Sequence, residues 1–208
     1  MNQIEQHDGA NVRIVTPRYE LKSLGAPFRV TLIDSVGLSV DPDTGNEVVT
    51  IPDLAGLISA VVRKRVTCPR KLSGEELRFL RKALAVKAKS IAKFLEVSAE
   101  HYSRCEAGEK VLTSSNERMF RLFAFIATDY TDPQDFLERL DDEDEPKKKR
   151  GIKPIELDDF VRKFLGMRIQ SVFDANSVLH FEFFRQATIV DGLPENDEGW
   201  LLTDSKAA

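Results

Sequence analysis

Cysteine and histidine are scarce: two cysteines, Cys68 and Cys105, and three histidines, His7, His101 and His180, stand among 208 residues. So few cysteines exclude a disulfide framework and fit a reducing compartment. There is no C-x-x-C and no local grouping of ligands, so no zinc site of the usual spacing, no other metal and no cofactor is expected. No apolar run approaches the ~18 residues of a membrane-spanning helix. The opening MNQIEQHDGA lacks the basic-then-apolar order of a secretory signal. G-x-S-x-G, a P-loop and H-E-x-x-H are all missing, and Cys105 has no histidine partner in a plausible place. The expectation is a cytoplasmic protein that is not an enzyme.

The charge is present but unevenly placed. The whole chain carries a formal −4, with 30 Lys and Arg against 34 Asp and Glu. From Val62 to Leu122, however, 15 Lys and Arg face 7 Asp and Glu, a local +8, which leaves −12 for the rest. A basic block inside an acidic chain is the footprint expected when one module binds phosphates and its neighbours do not.

Periodicity divides the chain. Residues 1 to about 18 read as a polar lead-in. FRVTLIDSV alternates Phe28, Val30 and Leu32 with polar partners, as a half-buried strand should, and DPDTGN separates it from EVVTI, predicting a hairpin. Pro52 and Asp53 open a helix with Leu54, Leu57, Ile58 and Val61 on its apolar stripe. Ser73 with Glu76, and Ser114 with Glu117, have capping-box spacing. The first box opens a helix carrying Leu77, Leu80 and Leu84, and the second a helix with Met119, Leu122, Phe123 and Ile126 on one face. Asp132-Pro133 starts another through Phe136, Leu137 and Leu140. DDEDEPKKKR reads as a solvated linker, although PKKKR also has the composition of a nuclear-import signal. Beyond it, LDDFVRKFLG fits a short helix ended by Gly166, and SVLHFEFFRQATIV a strand. Phe181, Phe183 and Phe184 suit a core or an oligomer contact better than a base-stacking platform. The expected fold is α+β. Its parts are a β-hairpin-plus-helix unit (18–67), a five-helix bundle (68–140), a charged linker (141–154) and an α+β region (155–208).

The most telling stretch is VSAEHYSRCEAG, Val97 to Gly108. Ser98 is a cap residue, Tyr102 and Cys105 take inward positions, and Ser103-Arg104 points outward between them. Just upstream, AVKAKSIAKFLE supplies a shorter helix with apolar Ile91, Ala92 and Leu95. Two short helices three or four residues apart have helix-turn-helix spacing, in which the second enters the major groove.

Together, KLSGEELRFLRKAL and IAKFLEVSAEHYSRCEAGEKVLTSSNERMFRLF resemble the Cro/repressor-like (XRE) helix-turn-helix class. With IPDLAGLISAV before them, they look like the antitoxin-type regulators that join an N-terminal zinc ribbon to this module. The resemblance covers residues 28 to 126 and nothing in the last 60. Two departures stand out. The ribbon cysteines are absent, so the hairpin is expected to hold without metal. Ala88 opens the first of the two helices where the wider class often has glutamine, which leaves backbone amides and Lys87 or Lys89 for a phosphate.

The resemblance implies that Ala99, Glu100 and Arg104 reach base edges. Arg104 can bond guanine O6 and N7 together, Glu100 can accept from cytosine N4, and Ala99 can touch a thymine methyl. Arg104 as a phosphate contact or a solvated charge stays open. His101, Ser103 and Lys110 suit phosphate contacts, and the cap residue Ser98 belongs to the same DNA-binding set. Arg81 and Glu106 match a partly buried ion pair of the class, with two exposed charges as the other reading. Cys105 reads as a small buried hydrophobe, with a redox role open.

The resulting expectation is a dimeric, sequence-specific regulator of double-stranded DNA, acting as a repressor on an inverted repeat. The antitoxin likeness implies that it represses its own operon and holds a protein toxin. The competing class is a protein-interaction adaptor, or a toxin-neutralising antitoxin, that uses the helix pair mainly as scaffold.

Overall fold

In the computed structural model, described residues are 14–142, 146–149, 161–162, 164–170, 178–190 and 193–203. The fold is α+β. Its strands are β1 (Ile14–Glu20), β2 (Arg29–Val40), β3 (Glu47–Thr50), β4 (His180–Val190) and β5 (Leu193–Leu202). Its helices are α1 (Leu54–Thr67), α2 (Gly74–Ala83), α3 (Ala88–Phe94), α4 (Ala99–Glu106), α5 (Ser114–Ala127) and α6 (Pro133–Glu138). The chain makes two compact units, one from residues 1–60 and 178–208, the other from 61–177.

All five strands of the first unit share one mixed sheet in the order β1-β2-β4-β5, with β3 also on β2. β2 is long enough to serve three partners. β1 runs antiparallel along it, β3 pairs antiparallel with Gly37 to Val40, and β4 runs parallel beside Arg29 to Ile33. Phe28, Val30 and Leu32 are buried, as read from the sequence, joined by Phe181, Phe183 and Trp200. The alternation breaks at Thr31, which is buried too, its Oγ1 2.8 Å from His180 Nε2. Phe28 meets Phe181 edge-on at 5.3 Å between ring centroids. The Trp200 indole Nε1 donates to the Asp53 carbonyl at 3.0 Å, satisfying the polar atom of a buried aromatic.

Three expectations change here. The polar lead-in contains β1, which forms because β2 offers it a partner edge. Pro17 falls where the register shifts between Thr16 and Arg18, a place where its missing N–H breaks no ladder bond. The 155–208 region does not stand as a unit of its own: β4 and β5 complete the sheet begun by β1 to β3. Its Phe160 lies outside the described residues. Within the expected linker, 143–145 and 150–154 lie outside them too, but Lys147 to Lys149 pair with Asp129 to Thr131. The Thr131 amide donates to the Lys147 carbonyl at 3.0 Å and the Lys149 amide to the Asp129 carbonyl at 2.7 Å.

The second unit starts within α1, where Leu57, Val61, Val62 and Val66 are buried while Leu54 is exposed. The Ser73 capping box is complete: Ser73 Oγ accepts from the Glu76 amide and Glu76 Oε2 from the Ser73 amide. Leu77, Leu80 and Leu84 are buried. The α5 cap is Thr113 rather than Ser114; its Oγ1 accepts from the Asn116 amide at 3.2 Å. The buried face of α5 is also rotated from the expected one. Phe120, Phe123, Ala124 and Ala127 are inside with Glu117 and Arg121, and Met119 is exposed.

The rotation follows from a buried ionic cluster. Arg121 Nη2 donates to Glu117 Oε1 at 2.7 Å, and the same guanidinium reaches the carbonyls of Val66, Cys68 and Arg70. Arg65 mirrors it from α1, bonding both Glu76 oxygens at 2.6 and 2.8 Å and the carbonyls of Arg70 and Lys71. Glu117 in turn accepts from the Leu72 amide and the Lys71 ammonium. The connection from α1 to α2 is thereby threaded between two arginines, and its backbone groups are satisfied by charge.

Candidate nucleic-acid interface

The connection from α3 to α4 is Leu95 to Ser98. Glu96 takes a left-handed φ of 55°, and the Val97 amide closes on the Ala92 carbonyl at 3.0 Å, a six-to-one helix-ending bond. Ile91, Ala92 and Leu95 are buried, as the spacing predicted. Asn116 Nδ2 reaches the Leu95 carbonyl at 3.4 Å, tying the start of α5 to this corner.

α4 begins at Ser98, whose Oγ accepts from the His101 amide at 3.0 Å. Tyr102, Cys105 and Glu106 are buried; Ser98, Ala99, Glu100, Ser103 and Arg104 are exposed and His101 is half-buried. Positions 99, 100, 103 and 104 share one side of a helix, so the residues read as base-facing form one surface. The helix is short but strongly held. Gly74 lies so close to its end that an added Cβ would meet the Cys105 carbonyl at 2.5 Å and the Gly108 amide at 2.7 Å. Glycine is needed there for the approach of two backbones, not for φ.

Arg81 and Glu106 form a two-pronged pair, Nε to Oε1 at 2.6 Å and Nη2 to Oε2 at 3.0 Å, and Arg81 Nη1 also caps the Val86 carbonyl at 3.0 Å. The hydrogen bonds of Glu106 hold the Arg81 guanidinium above its ordinary range, more than offsetting partial burial. Burial, reinforced by Glu106, pushes the Tyr102 phenol up as well. The Cys105 thiol is also raised by burial, against the pull of Lys110. A thiol held in the neutral form is a poor nucleophile, which favours the packing role over the redox one.

The expected phosphate residues divide. Lys87 and Lys89 are exposed at the start of α3, with Ala88 half-buried between them, and Lys110 is exposed beyond Gly108. The Lys87 amide already has a partner: Gln134 Oε1 of α6 accepts it at 2.9 Å, while Gln134 Nε2 donates to Ser90 Oγ at 2.8 Å. Nothing in the sequence signals Gln134, because its partner lies 47 positions away.

Two further features escape the sequence. Arg104 Nε donates to Glu109 Oε2 at 3.0 Å across an exposed pair. The basic block is also less basic outside than it reads. Of its 15 cations eight are exposed, and of its seven acids four are exposed, so the surface balance is +4 rather than +8. Arg65, Arg121 and Arg81 serve internal carboxylates instead.

Among the described residues no cluster of three or more His, Cys, Asp or Glu side chains could hold a metal ion, and no helix is long and apolar enough to cross a membrane. Comparisons with family models, with curated proteins and with solved structures find no match to this chain.

Proposed function

We propose that the chain is a non-enzymatic, sequence-specific regulator of double-stranded DNA that reads the major groove with α4. The observation that carries this reading is the division of α4 itself. A buried stripe of Tyr102, Cys105 and Glu106 fixes the helix, and an outward row of Ala99, Glu100, Ser103 and Arg104 has the donors, acceptors and methyl group that base edges recognise. Exposed Lys87, Lys89 and Lys110 supply charge for phosphates. One such helix reads too few base pairs for tight specificity, so the reading includes a homodimer on an inverted repeat with half-sites about one helical turn apart. A cytoplasmic repressor that controls its own operon and holds a protein toxin is the finer form, and rests on the resemblance alone.

A second reading, a protein-interaction module with α3 and α4 as scaffold, draws on the modest +4 surface balance. Selection from a randomised duplex library separates the two. A DNA-binding regulator enriches a palindromic sequence and sediments on it as two chains per duplex. An adaptor enriches none.

A further inference from the structure

The Arg104–Glu109 pair is built by the backbone. Gly108 takes a left-handed φ of 78° just past α4. The turn then folds back so that the Glu109 and Lys110 amides both bond the Arg104 carbonyl, at 3.0 and 3.2 Å. That return places the Glu109 carboxylate against the Arg104 guanidinium, Nε to Oε2 at 3.0 Å.

Fold stability does not account for this arrangement. The side chains are 45% and 58% exposed, and exposed pairs contribute little. A carboxylate at a helix C-terminus also faces the negative end of the helix dipole, which disfavours it there. Glu100, one turn back on the same helix at the i−4 position, offers Arg104 an acid that suits the dipole, yet the bond goes to Glu109.

We propose that Glu109 is a specificity-determining residue: its carboxylate holds the Arg104 guanidinium away from phosphates and yields it to a guanine edge. This rests on α4 being the DNA-reading helix. A phosphate offers Arg104 one more anion of the kind it already has, while bringing a second negative charge up to Glu109. Exchange on random sequence therefore gains nothing. A guanine offers two acceptors matched to the guanidinium fork and no net charge, so exchange there is favourable. Glu109 thus weakens binding everywhere, and weakens it most where no guanine stands opposite Arg104.

The test is a double-mutant cycle on the full chain with Glu109→Gln, Arg104→Gln and both together. Each protein is titrated with a duplex enriched from a randomised library by the wild type, and with a mixed-sequence duplex of equal length. Glu109→Gln should tighten binding to the mixed duplex about fivefold while changing the enriched one less, so that discrimination falls. Its salt dependence on the mixed duplex should steepen by about one unit of slope, as Arg104 takes up a phosphate. In the Arg104→Gln background both changes should shrink to the small, sequence-independent remainder left by repulsion between one acid and phosphate. Equal effects of Glu109→Gln in the two backgrounds would overturn the proposal, leaving only general repulsion by one acid. If the wild type enriches no sequence, the DNA-reading function fails first and this falls with it.

Discussion

Arg81, near the end of α2, grips both carboxylate oxygens of Glu106 at the end of α4, with donor–acceptor distances of 2.6 and 3.0 Å. Both side chains are largely buried, 14% and 7% exposed, so each charge left alone has little access to water, with only the half-exposed Arg78, 3.9 Å from Glu106 Oε2, to offset the loss of Arg81. Arg81→Met or Glu106→Gln alone should therefore cost ~3–5 kcal/mol of unfolding free energy. The double replacement Arg81→Met with Glu106→Gln should cost clearly less than the two single costs added together. Urea denaturation of the four proteins measures this. Additive costs would show two charges acting separately.

The Arg81–Glu106 pair, 25 positions apart, was legible only through the resemblance, whereas the cap at Ser73 and the inward positions Tyr102 and Cys105 were legible in the neighbouring residues themselves. Local chemistry dictates such features within a few residues. The rest depends on partners that spacing cannot name. Phe181 and Phe183 alternate like any strand, but their burial comes from lying beside Val30 and Leu32, about 150 residues earlier. Arg65 and Arg121 read as surface charge because arginine is seldom fully buried. Only the fold shows the carbonyls and carboxylates that satisfy them. Glu109 and Gln134 are polar surface residues, and such positions carry no periodic signal.

Glu76 gives the chain an acid-sensitive joint. Burial by itself raises its carboxyl pKa, but the Arg65 guanidinium, with the Ser73 amide and hydroxyl, outweighs burial and holds the group below its ordinary value of 4.5. A depressed folded-state pKa means that the ionised form stabilises the fold fully above that ordinary value, and that the contribution is lost below it as pH falls through the lower folded-state value. Stability should thus decline as the medium is taken from pH 6 toward 3. Glu76→Gln should be much less stable at pH 6 and show a flatter decline, since the titrating group is gone. An unchanged slope would place the acid sensitivity elsewhere.

On an enriched duplex, Arg104→Ala should relax selectivity at one symmetric base-pair position, at a cost of about 1–3 kcal/mol for the preferred base. Lys89→Ala, on a different helix and facing no base in this reading, should weaken all sequences alike and reduce the salt slope by about one. Library binding by both variants reports on this directly. Equal losses across every sequence for both would remove Arg104 from the base-reading set.

Phe183 is fully buried on β4, opposite Leu32 of β2 in a parallel register and Leu202 of β5 in an antiparallel one. Truncating a buried phenylalanine costs ~3–5 kcal/mol, from lost apolar transfer and an unfilled cavity. Because β4 lies between β2 and β5, the loss cannot stay within the C-terminal strands. Phe183→Ala should raise amide hydrogen exchange in Arg29 to Ile33 and in His180 to Phe184 together, although some 150 residues separate them. Were the C-terminal strands a separately folded region, exchange would rise in His180 to Phe184 alone and β2 would keep its protection. The same coupling makes the unpaired edge of β2 the hazard in any chain cut before β4, since an open strand edge recruits other chains. Removal of residues 178–208 should then produce association through that edge, visible as concentration-dependent growth in light scattering, rather than a shorter protein of fixed size.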